Sequence, residues 1–283
     1  MAITGLPLDT DADITRVTEA LAMITPRWNV RIMLALSGPP LRYSEIADKM
    51  SWLQNGQLHP KLQTLCDSGL VERTEHTPHH VTYGRTDRGT ALLPVLPLIV
   101  TWAETYLEKT DGPLSAIEQI EDSLTLLTRR HAAAILWTLK TREETSARGL
   151  ATIVMPRGDW TNIYPPLRQL VADGLVDTDG KGQPYRLSAA GNGLAPVFGA
   201  LSVWSAGRPL AQAARHPVWG RPQTAPTTKG WVSNPSRLPA PTTAPASAGV
   251  GHTSPPTWQN RNLFSHAATT HPQSAPLAGG PRR

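Results

Sequence analysis

Three histidines within five positions, His76, His79 and His80, with His59 upstream, form the densest group of potential metal ligands in this sequence. A zinc-type site needs three or four preorganised N, S or O donors. Only Glu75 adjoins these histidines, they fall in the loop of a predicted hairpin, and no cysteine joins them, so no metal or cofactor is assigned. The single cysteine, Cys66, follows the apolar Leu65 and reads as a small core residue rather than a sensor thiol. Acidic pairs such as Glu143-Glu144 and Glu118/Glu121 read as solvated helix faces. With no Gly-rich phosphate loop and no nucleophile motif, enzymatic chemistry is not expected.

Charge narrows the remaining classes. The 283 residues carry a formal net charge of +5. From Pro217 onward there are six basic residues and no Asp or Glu, so residues 1–216 have a net charge of −1. The basicity therefore belongs to the C-terminal segment. That segment holds 12 of the 27 prolines among Thr, Ser, Ala and Gly, a composition that buries too little apolar surface to fold. Residues 217–283 are expected to be disordered, with Trp219, Trp231 and Trp258 scattered through them. One cysteine suits a reducing compartment. The start of the chain lacks a basic, apolar leader, and Ala91 to Val100 is too short to cross a bilayer. A soluble cytoplasmic protein with no membrane partner is expected.

The elements that must position any binding residues are repeated. The stretch Ala20 to Trp28, continuing through Ile32 to Leu36, aligns with Ser123 to His131, continuing through Ile135 to Leu139. Leu62-Gln63-Thr64-Leu65 before Gly69-Leu70-Val71 aligns with Leu167-Arg168-Gln169-Leu170 before Gly174-Leu175-Val176. Tyr83, Gly89, Leu92, Pro94, Val95 and Trp102 align with Tyr185, Gly191, Leu194, Pro196, Val197 and Trp204. The offset stays between 102 and 105 residues, which implies two tandem copies of one unit. Each unit reads as an apolar helix, a short helix capped by Ser44 in the first copy, and a helix starting near Pro60 or Pro165. A hairpin and a closing helix ending at Trp102 or Trp204 follow. Three helices, a hairpin and a closing helix make a winged helix-turn-helix.

Several segments carry a family resemblance. They are Arg27-Trp28 leading into Ile32 to Leu36, Arg42-Tyr43-Ser44-Glu45-Ile46, Leu62 to Val71, Tyr83, Thr86-Asp87-Arg88-Gly89, and Leu92 to Leu96 ending at Trp102-Ala103-Glu104. Together they resemble HxlR-type winged helix regulators over residues 15–106. Residues 118–206 look like a diverged second member, with Glu143 to Arg148 departing most. The fold class is thus mainly α with small β-hairpin wings, in tandem winged helix-turn-helix domains plus a disordered tail. The domain plan is an arm at 1–14, domains at 15–110 and 118–216 joined by a linker at 111–117, and the tail at 217–283. The resemblance implies a bacterial transcriptional regulator that binds double-stranded DNA, commonly as a homodimer held by its terminal helices. Redox-sensing relatives carry a cysteine near the N-terminus. This chain has none there, so thiol switching is not expected.

On that reading the N-terminal end of the third helix faces the major groove. In the first copy it offers Gln54, Asn55, Gln57, His59 and Lys61. Asn and Gln can pair bidentately with adenine, and Lys with guanine or a phosphate. The second copy offers Trp160, Thr161, Asn162, Tyr164 and Arg168, a set more aromatic and less able to read bases. Arg42, Ser44, Arg73, Arg148 and Arg157 flank these elements for phosphate contact, with His79 and His80 at the first wing. The second wing, Asp177 to Pro184, carries two acids. Prolines in both recognition helices and the net −1 of residues 1–216 also fit a rival reading, a protein–protein interaction scaffold built on degenerate winged helices. The terminal helices either pack on each other, join a second chain or close each domain's own core, and the tail offers a further partner site.

Overall fold

The computed structural model describes residues 4–53, 55–107 and 115–220. These residues form a mainly helical structure with two small antiparallel sheets. The first half runs α1 (Leu8–Ile24), α2 (Asn29–Ala35), β1 (Leu41–Arg42), α3 (Tyr43–Lys49), α4 (Asn55–Asp67), β2 (Val71–Thr77), β3 (His80–Arg85), α5 (Asp87–Leu92), a 3-10 turn and α6 (Leu96–Tyr106). The second half runs α7 (Ala116–Leu127), α8 (Ala132–Arg142), β4 (Glu144–Thr145), α9 (Ala147–Val154), a 3-10 turn, α10 (Tyr164–Ala172), β5 (Val176–Thr178), β6 (Tyr185–Leu187), α11 (Ala189–Gly193) and α12 (Ala195–Ser205). The sheets have matching orders, β1-β3-β2 and β4-β6-β5. None of the described helices is long and apolar enough to cross a membrane.

Sequence pattern explains most of these elements. In α1, Ile14, Val17, Leu21 and Ile24 recur at three- and four-residue steps and are all buried. In α7, Ile117, Ile120, Leu124 and Leu127 do the same. Gly69 and Gly174 end α4 and α10 with φ of 69° and 71°, where a side chain would be strained. Gly89 and Gly191 answer a different need. A Cβ at either would lie 2.1 Å from a backbone oxygen, of Leu70 and Leu175 respectively, so only glycine lets the helix lie this close to the preceding turn.

Four expectations need correction. The arm assigned to residues 1–14 is helical from Leu8, and Thr4 N–H donates to the Asp11 carboxylate at 2.8 Å. Ser44 does not cap α3. The helix starts at Tyr43, and Glu45 accepts from the Arg42 N–H at 2.6 Å. In the second half Ser146 is the cap, accepting from Gly149 N–H at 3.1 Å. The closing helix of the first half is interrupted by the 3-10 turn Leu93–Val95, where Pro94 and Pro97 withhold N–H donors.

The fourth correction concerns where the tail begins. Pro217 to Gly220 fold back onto α12 instead of starting a disordered segment. Trp219 is 3% exposed, stacks on Phe198 at 4.8 Å and meets Trp137 edge-on at 5.3 Å. The backbone N–H groups of Trp219 and Val218 donate to His216 Nδ1. His216 Nε2 lies 3.2 Å from Asp13 Oδ2 and 3.1 Å from Ser202 Oγ. Both contacts use the same imidazole nitrogen, so the group is a clasp between α1, α12 and this segment rather than a relay to a nucleophile. Trp231, Trp258 and the rest of the expected tail lie outside the described residues, as does most of the expected linker.

The two halves are built into each other. Helix α1 lies against α8 and α12, while α7 lies against α2 and α6. The Trp102 indole N–H donates to Ala190 O at 2.9 Å, and the Trp204 indole N–H donates to Arg88 O at 2.9 Å. Donors and acceptors both differ by the same 102 residues, so the exchange is reciprocal. A second tie is one-sided. Arg31 meets Glu121 through two hydrogen bonds of 3.2 and 3.0 Å, with its guanidinium 5.3 and 5.5 Å from the ring centroids of Trp28 and Trp52. Periodicity alone gave no sign of this cross-half cluster.

Candidate nucleic-acid interface

The recognition element of the first half is α4, and it begins earlier than its proline suggests. The sequence reading starts this helix at Pro60 with the preceding residues in a loop. In the structure the helix starts at Asn55 and Pro60 lies inside it. A proline there removes one backbone hydrogen bond and costs about 3 kcal/mol. The extra turn delivers Leu58, only 1% exposed, to the core in line with Leu62 and Leu65, both 0% exposed. Burying a leucine contributes roughly 1.5–3 kcal/mol, comparable to the proline's effect. The orphaned acceptor belongs to Gly56, which is exposed and can bond water.

That geometry decides which predicted residues share a surface. Gln57 and His59 are exposed on the first turns of α4, and Lys61 is half-buried one turn on. Gln54 lies outside the described residues, and Asn55 contributes the first residue of the helix. Arg42 and Ser44 are exposed at the start of α3. On the wing, β2 exposes every residue from Glu72 to Thr77. Arg73 pairs with Glu75 at 3.1 Å, so an acid sits on the same strand face as the expected phosphate contact. His79 is exposed at the turn, whereas His80 packs its ring 4.8 Å from that of His76. His76 in turn contacts Thr82 Oγ1 at 3.0 Å. Cys66 is half-buried, and burial with the neighbouring Asp67 pushes its thiol above the ordinary range.

The second half places its residues on an equivalent element with different chemistry. The 3-10 turn Trp160–Ile163 replaces the first turn of α4, and α10 carries Pro165 and Pro166 in its first turn, as expected from sequence. Ile163, Leu167 and Leu170, all 0% exposed, repeat the spacing of Leu58, Leu62 and Leu65. Asp159 caps the turn by accepting from Thr161 N–H at 2.9 Å. In this register Pro166 occupies the place of Lys61, and Arg168 that of Gln63, as the aligned segments have it. Trp160 and Tyr164 are 49% and 37% exposed, their rings edge-on at 5.9 Å. Thr161, Asn162, Arg168, Arg148 and Arg157 are also exposed. On the second wing Asp179 binds Arg186 through two hydrogen bonds of 2.8 Å.

Comparison with known proteins places the first half. The HxlR-like helix-turn-helix family model matches residues 23–111. The transcriptional regulator YodB of Bacillus subtilis is 31% identical over 98 residues, 34% of this chain and 88% of YodB. The uncharacterised regulator YtfH of Escherichia coli is 30% identical over 91 residues, 31% of this chain and 72% of YtfH. The solved reduced form of YodB covers 33% of this chain and 93% of its own, with 30% identity and a TM-score of 0.31. These likenesses extend over about a third of the chain. On the strength of its segments and of relatives matched over most of their length, the chain belongs to the HxlR-like helix-turn-helix family.

Proposed function

We propose that this protein is a sequence-preferring, DNA-binding transcriptional regulator whose two halves act as an intrachain pair of winged helix domains. Membership of a family whose relatives are named transcriptional regulators supports the DNA-binding part. The reciprocal bonds from Trp102 to Ala190 and from Trp204 to Arg88 support the pairing and carry it furthest. They join matched positions, as a two-fold dimer would between chains. The terminal helices α6 and α12 then serve inside one chain the role that a homodimer interface serves between two. Such a regulator works in the bacterial cytoplasm, on the nucleoid.

Within this reading the first half does the base reading. Gln57, His59 and Lys61 would enter the major groove, while Arg42 and Arg73 would meet phosphates. The second half would add a weaker, less specific contact through Arg148, Arg157 and Arg168. A second reading is supported at that half alone: the exposed Trp160–Tyr164 edge and the acid-tied wing suit a protein partner better than a duplex.

The test is DNA binding by residues 1–220, which retain the Trp219 clasp, to fragments from the gene's own upstream region across a salt series. Sequence-preferring affinity that falls with salt supports the regulator. Binding by the full-length chain alone, without sequence preference, would assign the affinity to the basic C-terminal segment and leave the paired halves as a docking module.

A further inference from the structure

A cavity of about 560 Å3 lies where α1 of the first half meets α7 and α8 of the second. Its walls are mostly apolar for a specific reason. Thr15, Thr18, Thr25 and Thr128 line it, and each hydroxyl donates to a carbonyl four residues back in its own helix, turning the methyl outward. Ala132, Ala133 and Ala134 form the floor.

The matched place on the other side is full. By the 103-residue offset, His131 corresponds to Trp28, Ala134 to Arg31, and Thr18 to Glu121. The correspondence extends to the backbone, since Trp28 and His131 both enter their helices in the left-handed region, with φ of 79° and 61°. In the first half the Arg31–Glu121 pair and the Trp28 ring, packed 4.5 Å from that of Trp52, occupy this volume. After α9 no aromatic residue replaces Trp52 before Trp160. At each of these matched positions the residue lining the cavity is smaller than its counterpart.

One polar group in it is unsatisfied. His131 Nε2 is buried and has no hydrogen-bond partner. Burial, with Arg130 nearby, pushes this imidazole below its ordinary range, so it is neutral at physiological pH. Of the charged lining residues, Arg129 is already held by Asp173 at 3.1 Å, Asp11 accepts from the Thr4 N–H at 2.8 Å, and Glu19 is exposed to solvent. Buried polar atoms that lack a partner are uncommon in folded proteins and mark places where another molecule can supply one.

We infer that this cavity binds a small, flat, uncharged aromatic molecule bearing one hydroxyl, which takes the place of the indole missing from this half and hydrogen-bonds to His131 Nε2. The inference does not rest on DNA binding. A ligand here would wedge between α1 and α8 and so touch the junction of the two halves.

The probe is 2-naphthol, titrated calorimetrically into the full-length protein at neutral pH. One site per chain is expected. Thr18→Trp fills the cavity from its exposed rim and should abolish the heat, while His131→Ala should weaken binding about fivefold, the value of one neutral hydrogen bond. Naphthalene-2-sulfonate, charged but similarly flat, should bind at least about tenfold more weakly. A Trp28→His/Arg31→Ala/Glu121→Thr variant should raise the stoichiometry toward two if it folds, with circular dichroism as the check. Absence of saturable binding, binding that survives Thr18→Trp, or equal affinity for the sulfonate would overturn the inference.

Discussion

The two halves share an element order, a strand order and the spacing of their recognition-helix leucines and isoleucine, yet they present different surfaces. The first half exposes Gln57 and His59 on an extended α4; the second exposes Trp160 and Tyr164 on a 3-10 turn. Helix α7 is bolted to α2 by a partly buried ion pair, whereas α1 leaves a cavity against α8. In a homodimer every substitution appears twice. Joining both halves in one chain removes that constraint, so one side can keep a polar reading surface while the other changes. What stays common is the backbone framework and the reciprocal tryptophan bonds, because those are set by packing that both sides need.

The largest effect that would separate the halves is on DNA affinity. A Gln57→Ala/Lys61→Ala variant should lose about 2–6 kcal/mol of binding to a preferred site, at roughly 1–3 kcal/mol per specific contact, measured by fluorescence anisotropy. Asn162→Ala should lose less than about 1 kcal/mol. Equal losses would mean that both halves read bases, and the asymmetry would fail.

Next in size is the close backbone approach. Gly89→Ala and Gly191→Ala should each destabilise the protein by about 1–3 kcal/mol in urea unfolding, since the added Cβ must displace a carbonyl. Both are expected to shift one cooperative transition, because α1 and α7 each pack on the other half. Two separate transitions would show instead that the halves unfold independently.

Trp102→Phe and Trp204→Phe should cost about 1 kcal/mol each, the net value of one hydrogen bond. Similar losses are expected because the two bonds have equal length. A markedly larger loss at one position would show that one side of the junction dominates.

The smallest effect is an acid sensitivity confined to one side. Burial alone would raise the Asp13 carboxyl, but hydrogen bonds from His216, Arg16 and Ser202 hold it below the ordinary range. A carboxyl lowered in the folded state stabilises at neutral pH, and this contribution fades as pH falls through the ordinary carboxylate range and below. Asp13→Asn should flatten the stability profile between about pH 5 and pH 2. By the same offset, α7 has Ala116 where α1 has Asp13, so no matching change is expected there.

Much of the framework was legible in the residues. Leu62 and Leu65 announce an inward helix face, Gly69 its end, and the segments Leu70 to Thr74 and Val81 to Arg85 around Thr77-Pro78 the hairpin. These are local signals, fixed by helix and strand periods. The start of α4 is not legible locally, because Pro60 is a strong local breaker and only the core space available to Leu58 outweighs it. The type of Ser44 favours a cap, but the pairing of Leu41 and Arg42 with β3 fixes where α3 begins. Composition groups Trp219 with a proline-rich tail, since it cannot reveal that Phe198 and Trp137 leave an aromatic slot for it.

The sequence by itself determined the matched segments of the two halves, their register and the residue types on α4 and α10, because those depend on residues close together in the chain. Tertiary structure alone decided that α1 and α7 cross to the opposite half, that Trp102 and Trp204 exchange bonds, and that an ion pair fills one side where a cavity lies on the other. Those outcomes depend on residues 88 to 189 positions apart meeting in space, and no periodicity within one segment encodes which distant surface it will bury against.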